Sequence, residues 1–145
     1  MDSFNVDDFS QAKPLDLSGV RILVVEDSWQ IGIALKRLLE LFGAVVSGPV
    51  ATAADADRVA SEEAPDAAVV DFSLRGGERA TALLDRLHDR GVYIIVMTGY
   101  PVLPTPLRHA AAILQKPFSE TQLLGSLCQV VARKAQQELR QFGRT

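Results

Sequence analysis

Val20-Arg21-Ile22-Leu23-Val24-Val25-Glu26-Asp27 decides how this chain is read. A short, mainly apolar run that does not alternate with polar residues reads as a strand buried on both faces, as in a parallel sheet. This one closes on two carboxylates. Three further runs have the same form: Ala67–Val70 closes on Asp71, Tyr93–Met97 on Thr98, and Ala111–Gln115 on Lys116. In open α/β sheets, ligands bind outside the carboxyl ends of the strands. Three carboxylates, a hydroxyl and an ammonium would therefore meet at one sheet edge, a set suited to one divalent cation and one phosphoryl group.

The segments between these runs carry helical signals. Ser28 to Phe42 places Ile31, Leu35, Leu38 and Phe42 on one stripe, with Gly43 as the stop. Residues 44–47 (AVVS) read as a short strand. Thr52 with Asp55 resembles a capping pair for an Ala-rich helix that ends before Pro65, and Glu78 to Arg90 reads as a third helix stopped by Gly91. Residues 99–109 contain Pro101, Pro104 and Pro106, which remove backbone donors, so a loop is expected there, with any fourth helix short or disordered. Ser119 with Gln122 is a capping-box signature for the last helix, whose expected stripe is Leu124, Cys128, Val131, Ala135, Leu139 and Phe142. The β-α alternation predicts an α/β fold: a doubly wound, five-stranded parallel sheet with helices on both faces.

Composition narrows the function. At 145 residues and 48% apolar content, one globular domain is expected. Residues 1–18 are polar and acidic and read as a flexible arm, 19–135 as the domain, and 136–145 as a helix extension or tail. A net charge of −3 and the lack of a long basic stripe argue against direct DNA binding. Arg133, Lys134, Arg140 and Arg144 read as a solvated helix end. No run is long enough to span a membrane, and the acidic N-terminus lacks a secretory layout, so a cytoplasmic protein is expected. Cys128 is the only cysteine and reads as a small buried hydrophobe.

The converging groups suggest specific chemistry. A hard cation such as Mg²⁺ (or Mn²⁺) takes oxygen ligands, using one or two carboxylates plus phosphate oxygens. Asp27 and Asp71 would supply that partial shell, Glu26 directly or through water, and the backbone carbonyl of Ser73 one more ligand. Asp71 could be the nucleophile that forms an aspartyl phosphate. Lys116 and Thr98 would receive the phosphoryl oxygens.

These residues resemble the receiver domain of two-component response regulators. The match consists of Glu26-Asp27, Asp71 as phosphoacceptor, Thr98 as the switch hydroxyl and Lys116-Pro117-Phe118, with 44 residues from Asp27 to Asp71 and 45 from Asp71 to Lys116. The flavodoxin-like receiver fold is implied, with a cis Lys116–Pro117 bond. Val-Met-Thr-Gly-Tyr around Thr98 also resembles a subgroup of stand-alone alphaproteobacterial receivers with an F-x-T-G-x-Y-like motif, except that Val96 stands where Phe is usual. The resemblance implies a single-domain, non-enzymatic response regulator. It would take its phosphoryl group from a histidine kinase (of the HWE type in that subgroup) or a phosphotransfer protein, and signal through a downstream protein partner or a phosphorelay. About ten residues follow the domain, too few for an output module. Ordinary receivers carry an aromatic gate where this chain has Ile113, so the switch is expected to involve Tyr100 and the loop it opens, with Pro117 and Phe118 beside it.

Each piece also has a plainer reading. Acids after a strand favour a helix start, and Lys-Pro can be only a turn. It is the five in order that carry the phosphoacceptor reading. Trp29 reads as an exposed or half-packed helix residue. His88 and His109 read as surface residues, and Gly76-Gly77 as a turn. A small aspartyl-phosphate hydrolase is the enzymatic alternative, but such enzymes carry a second Asp where this chain has Ser73. A degenerate receiver scaffold is the third, opposed by the intact acidic pair, Asp71, Thr98 and Lys116.

Overall fold

In the three central strands, successive side chains point to opposite faces, and both sets are apolar. β1 (Arg21–Val25), β3 (Ala67–Asp71) and β4 (Tyr93–Thr98) are therefore driven to the middle of a sheet covered on both sides. The computed structural model describes residues 15–74, 80–103 and 107–143. In it, β2 (Val45–Val50) and β5 (Ala112–Gln115) flank that core, giving a wholly parallel sheet of order β2-β1-β3-β4-β5. This is the expected five-stranded α/β architecture.

Ile22 and Val24 on β1, Ala67 and Val69 on β3, and Ile95 and Met97 on β4 face one layer. That layer is formed by α1 (Trp29–Leu41) and α4 (Glu120–Phe142). Leu23, Val25, Ala68, Val70, Ile94 and Val96 face the opposite layer, formed by α2 (Ala53–Glu63) and α3 (Thr81–Asp89). Ser28 and Thr52 cap α1 and α2, and Ser119 with Gln122 forms the complete capping box of α4. No helix is described between β4 and β5 among the described residues, and Pro104 and Pro106 lie outside them.

Several sequence expectations are corrected. The folded domain begins before Gly19: Leu17 is fully buried and donates its N–H to the Phe42 carbonyl at 2.7 Å, because its side chain fills the end of the α1/α4 layer. The remainder of the proposed arm, residues 1–14, lies outside the described residues, as do Glu78 and the Gly76-Gly77 pair. On α1 the buried residues are Gly32, Leu35 and Leu39, while Ile31 is exposed; Leu38 and Phe42 are only half-buried. On α4 the buried stripe is Leu123, Leu127 and Val130, one residue ahead of the expected Leu124, Cys128 and Val131. One residue is about 100° of helical rotation, so Cys128 is exposed rather than buried. α4 has two adjacent apolar stripes, and docking on the sheet selects the one that carries Leu123, Leu127 and Val130. The helix runs on to Phe142, so that 136–142 continue it, the first of the two expected forms of this segment, with Lys134 tied to Asp66 at 2.9 Å and Arg133 over the Tyr93 ring. These basic residues are therefore partly engaged rather than simply solvated.

β2 meets β1 with a register irregularity between Leu23 and Val25, opposite a cis Gly48–Pro49 bond. Gly48 has φ of +95°, a conformation open to glycine at little cost. The Pro49 ring then lies against α1, where a Cβ on Gly32 would sit 2.5 Å from Pro49 Cβ. Gly32 thus sets how closely α1 approaches the sheet just beyond Glu26. Gly32→Ala is expected to lower stability by about 1–3 kcal/mol, as overpacked sites do, measured by urea unfolding of both proteins. An unchanged midpoint would show that α1 can withdraw without loss.

Candidate functional site

The strand register brings the polar strand ends together. Val25 lies opposite Val70, Asp71 opposite Met97, and Thr98 opposite Gln115, so Glu26, Asp71, Thr98 and Lys116 occupy neighbouring positions along the carboxyl edge. Glu26, Asp71 and Thr98 are also the buried polar residues among those described. Buried polar groups need partners, and the partners here are the Lys116 ammonium and nearby backbone N–H groups. Lys116 Nζ donates to Asp71 Oδ2 at 3.0 Å and to Glu26 Oε1 at 3.2 Å. Asp71 Oδ1 accepts the Ser73 N–H at 3.0 Å. Thr98 Oγ1 accepts the Tyr100 N–H at 3.0 Å, while its carbonyl accepts the Lys116 N–H at 2.7 Å.

Glu26, Asp27 and Asp71 each place a carboxylate oxygen within 4.8 Å of the others. Glu26 Oε2 is buried and has no hydrogen-bond partner. An orphaned carboxylate oxygen beside two other carboxylates fits a cation that prefers oxygen ligands. Asp27, exposed at the rim, leaves that position open to water. The cluster is thus compatible with a metal site.

Electrostatics agree with this reading. Burial pushes the Glu26 carboxyl up, the adjacent Asp71 pushes it further, and Lys116 opposes both, leaving it at about 7. Burial on its own would lower the Lys116 ammonium, but hydrogen bonds and charge from Asp71 and Glu26 outweigh it, and the net shift is upward. Lys116 therefore stays charged while Glu26 is poised between its two forms.

The other residues singled out in the sequence divide. Tyr100 sits at the site's margin, half exposed, with its ring edge-on to Phe72 at 6.1 Å. Ile113 lies on edge strand β5 with nearly half its surface exposed. The Lys116–Pro117 bond is cis; Pro117 is exposed, and Phe118 packs into the α1/α4 layer rather than at the cluster. Trp29 is exposed. His88 and His109 do lie at the surface, His88 exposed and His109 half-buried, and the structure adds a contact between them: their rings stack at 3.9 Å, and His109 Nε2 is 3.3 Å from Asp85 Oδ1. Twenty-one positions separate them, so no periodic pattern could have exposed the contact.

An acid whose folded-state pKa lies above its unfolded value stabilises the fold at low pH, and that contribution is lost as pH rises through the folded value. For Glu26 the window runs from its ordinary 4.5 to about 7. In chelator, the wild type is expected to lose on the order of 1–3 kcal/mol relative to Glu26→Gln between the two ends of that window. Urea unfolding of both proteins at pH 4.5 and pH 8 measures it. Parallel stability curves would mean that Glu26 is not under strain from its neighbours.

No protein-family model and no curated protein matches the sequence. Solved structures do. The response regulator PhyR from Brucella abortus aligns over 90% of this chain at 20% identity with a TM-score of 0.75, and this chain spans 55% of PhyR. SdrG from Sphingomonas melonis Fr1 is 31% identical, with 77% of this chain and 96% of SdrG covered and a TM-score of 0.66. A CheY-like response regulator receiver domain protein from Methanospirillum hungatei JF-1 is 26% identical, with 81% and 98% covered and a TM-score of 0.72. Among the described residues, no helix is long and apolar enough to cross a membrane. The chain thus has the five-stranded α/β fold of CheY-like response regulator receiver domains.

Proposed function

We propose that this protein acts as a response regulator receiver of the cytoplasm that accepts a phosphoryl group on Asp71 from a histidine kinase or phosphotransfer protein and passes the signal to a protein partner or a phosphorelay. The observation that carries the proposal is the Asp71–Lys116–Glu26 arrangement with its orphaned Glu26 oxygen. It joins a nucleophile, a fixed cation and an incomplete carboxylate shell at one point.

In the reaction, an Asp71 carboxylate oxygen attacks phosphorus while the P–N bond of a phosphohistidine breaks and the imidazole leaves with the bonding pair. Mg²⁺ or Mn²⁺, held by Glu26, Asp27, Asp71 and the Ser73 carbonyl, would supply the positive charge that lets a dianionic group approach three carboxylates. Lys116, already 3.0 Å from Asp71, takes up charge on the transferred oxygens. Thr98, whose oxygen accepts the Tyr100 N–H, still has its hydroxyl proton to donate to a phosphoryl oxygen. Rotation of the Thr98 side chain toward that oxygen would pull on the Tyr100 bond, which provides a switch. The Ser73 side chain offers no carboxyl to drive hydrolysis, which favours a phosphoacceptor over a phosphatase. The likeness of the Thr98 segment to stand-alone alphaproteobacterial receivers supports an HWE-type kinase as the donor.

Incubation with acetyl phosphate and Mg²⁺ is expected to add a single adduct of about 80 Da, the mass of one phosphoryl group, detected by intact mass spectrometry. Asp71→Asn or excess chelator is expected to abolish it. Full labelling in chelator, or of Asp71→Asn, would overturn the assignment.

A further inference from the structure

The connection from β4 to β5 begins at the switch hydroxyl and ends on the edge strand. Its described residues are held toward both ends. At its near end the Tyr100 N–H is bound to Thr98 Oγ1 and the Tyr100 ring rests edge-on against Phe72. Near its far end the His109 ring stacks on His88 of α3 at 3.9 Å, with an interplanar angle of 23°. His109 Nε2 also reaches Asp85 Oδ1, one helical turn back on α3, at 3.3 Å. Leu107 and Ala110, on either side of His109, pack against the α2/α3 core layer, and Ala111 donates its N–H to the Ile94 carbonyl at 2.8 Å. The far end therefore has an aromatic stack, a polar contact and apolar burial, all onto elements that also form the core.

The near end is held differently. Leu103 packs against the α2/α3 core layer, but Tyr100 itself, among the described residues, is held by the bond to the Thr98 hydroxyl, which a phosphoryl group would also engage, and by one edge-on ring pair. Tyr100 and Val102 are exposed, Val102 by 81%. With Ile113 in place of an aromatic ring, no aromatic side chain stands at that β5 position to follow Thr98.

On the functional reading above, we infer that His109, stacked on His88 and paired with Asp85, anchors the far end of this connection, so that movement begun at Thr98 emerges as displacement of Tyr100 from Phe72. His88, Asp85 and His109 are positioning residues. The surface that changes is the one around Tyr100 and Val102, and a protein partner reading it would meet an aromatic and an aliphatic side chain. Were the anchor absent, the same pull would be spread along the whole connection and reach β5.

The chain has two tyrosines, Tyr93 and Tyr100, so fluorotyrosine labelling yields two ¹⁹F resonances that Tyr93→Phe assigns. In the resting protein, His109→Ala is expected to shift the His88 ring resonances and to speed amide exchange at 107–110 by about tenfold, the scale of one aromatic contact, with His109→Phe restoring most of the protection. These readouts need no phosphorylation. Beryllofluoride with Mg²⁺ is then expected to move the Tyr100 resonance in the wild type while exchange at 107–110 stays unchanged, and to raise exchange at 107–110 further only in His109→Ala. The anchor is refuted if His109→Ala leaves the His88 ring and residues 107–110 as they were, or if beryllofluoride loosens 107–110 as much in the wild type as in the variant. A wild type with an intact resting anchor but no response to beryllofluoride at any residue would instead overturn the phosphoacceptor reading.

Discussion

The constraint on which the site depends is the repulsion among three carboxylates at one sheet edge. Glu26 and Asp71 are buried there, and burial in a low-dielectric setting makes the repulsion expensive. Lys116 is the compensating charge the chain itself supplies, placed between the two by the β5 strand end. One ammonium cannot satisfy both fully, and the residue of the conflict is visible in the raised Glu26 carboxyl and its orphaned oxygen. Such a cluster is under-compensated as it stands. A further positive charge would relieve it, and on the proposed function this would make binding of a cation and acceptance of a phosphoryl group parts of one electrostatic problem.

The sheet makes this possible by being apolar nearly everywhere else. β1, β3 and β4 bury both faces, so their register is fixed by two core layers at once. A slip of one residue would exchange the layers and move Asp71 or Thr98 away from the edge. The packing of Pro49 on Gly32 has a similar effect on α1, which starts directly after the acidic pair. Stability of the core and geometry of the site are therefore not separate properties of this chain.

The connection after β4 shows a different balance. It has three prolines, and among its described residues no helix, yet it is not loosely attached. Leu103, Leu107 and Ala110 pack beside α3, and the histidine stack adds a directional contact. The outcome is a segment with one end bound through the site's own hydroxyl and the other bound to the scaffold. On the inference drawn above, a rearrangement at Thr98 would thereby be kept local rather than become a diffuse loosening.

Strand ends, caps and the polar residues of the site could be read from the residues themselves, because each is a local matter. An apolar run closing on Asp71, a Ser119–Gln122 pair and an acid doublet after Val25 depend on near neighbours alone. What the tertiary structure decided is everything set by contacts between distant segments. The α4 helix has two adjacent apolar stripes, and only docking on the sheet selected Leu123, Leu127 and Val130, leaving Cys128 outside. Leu17 belongs to the core because Phe42 meets it, which no feature of residues 15–19 alone reveals. The His88–His109 stack arises because the fold brings the end of α3 against the β4–β5 connection. Local patterns specify which groups a chain offers, but the partner of each group is chosen by packing, which is a property of the whole chain.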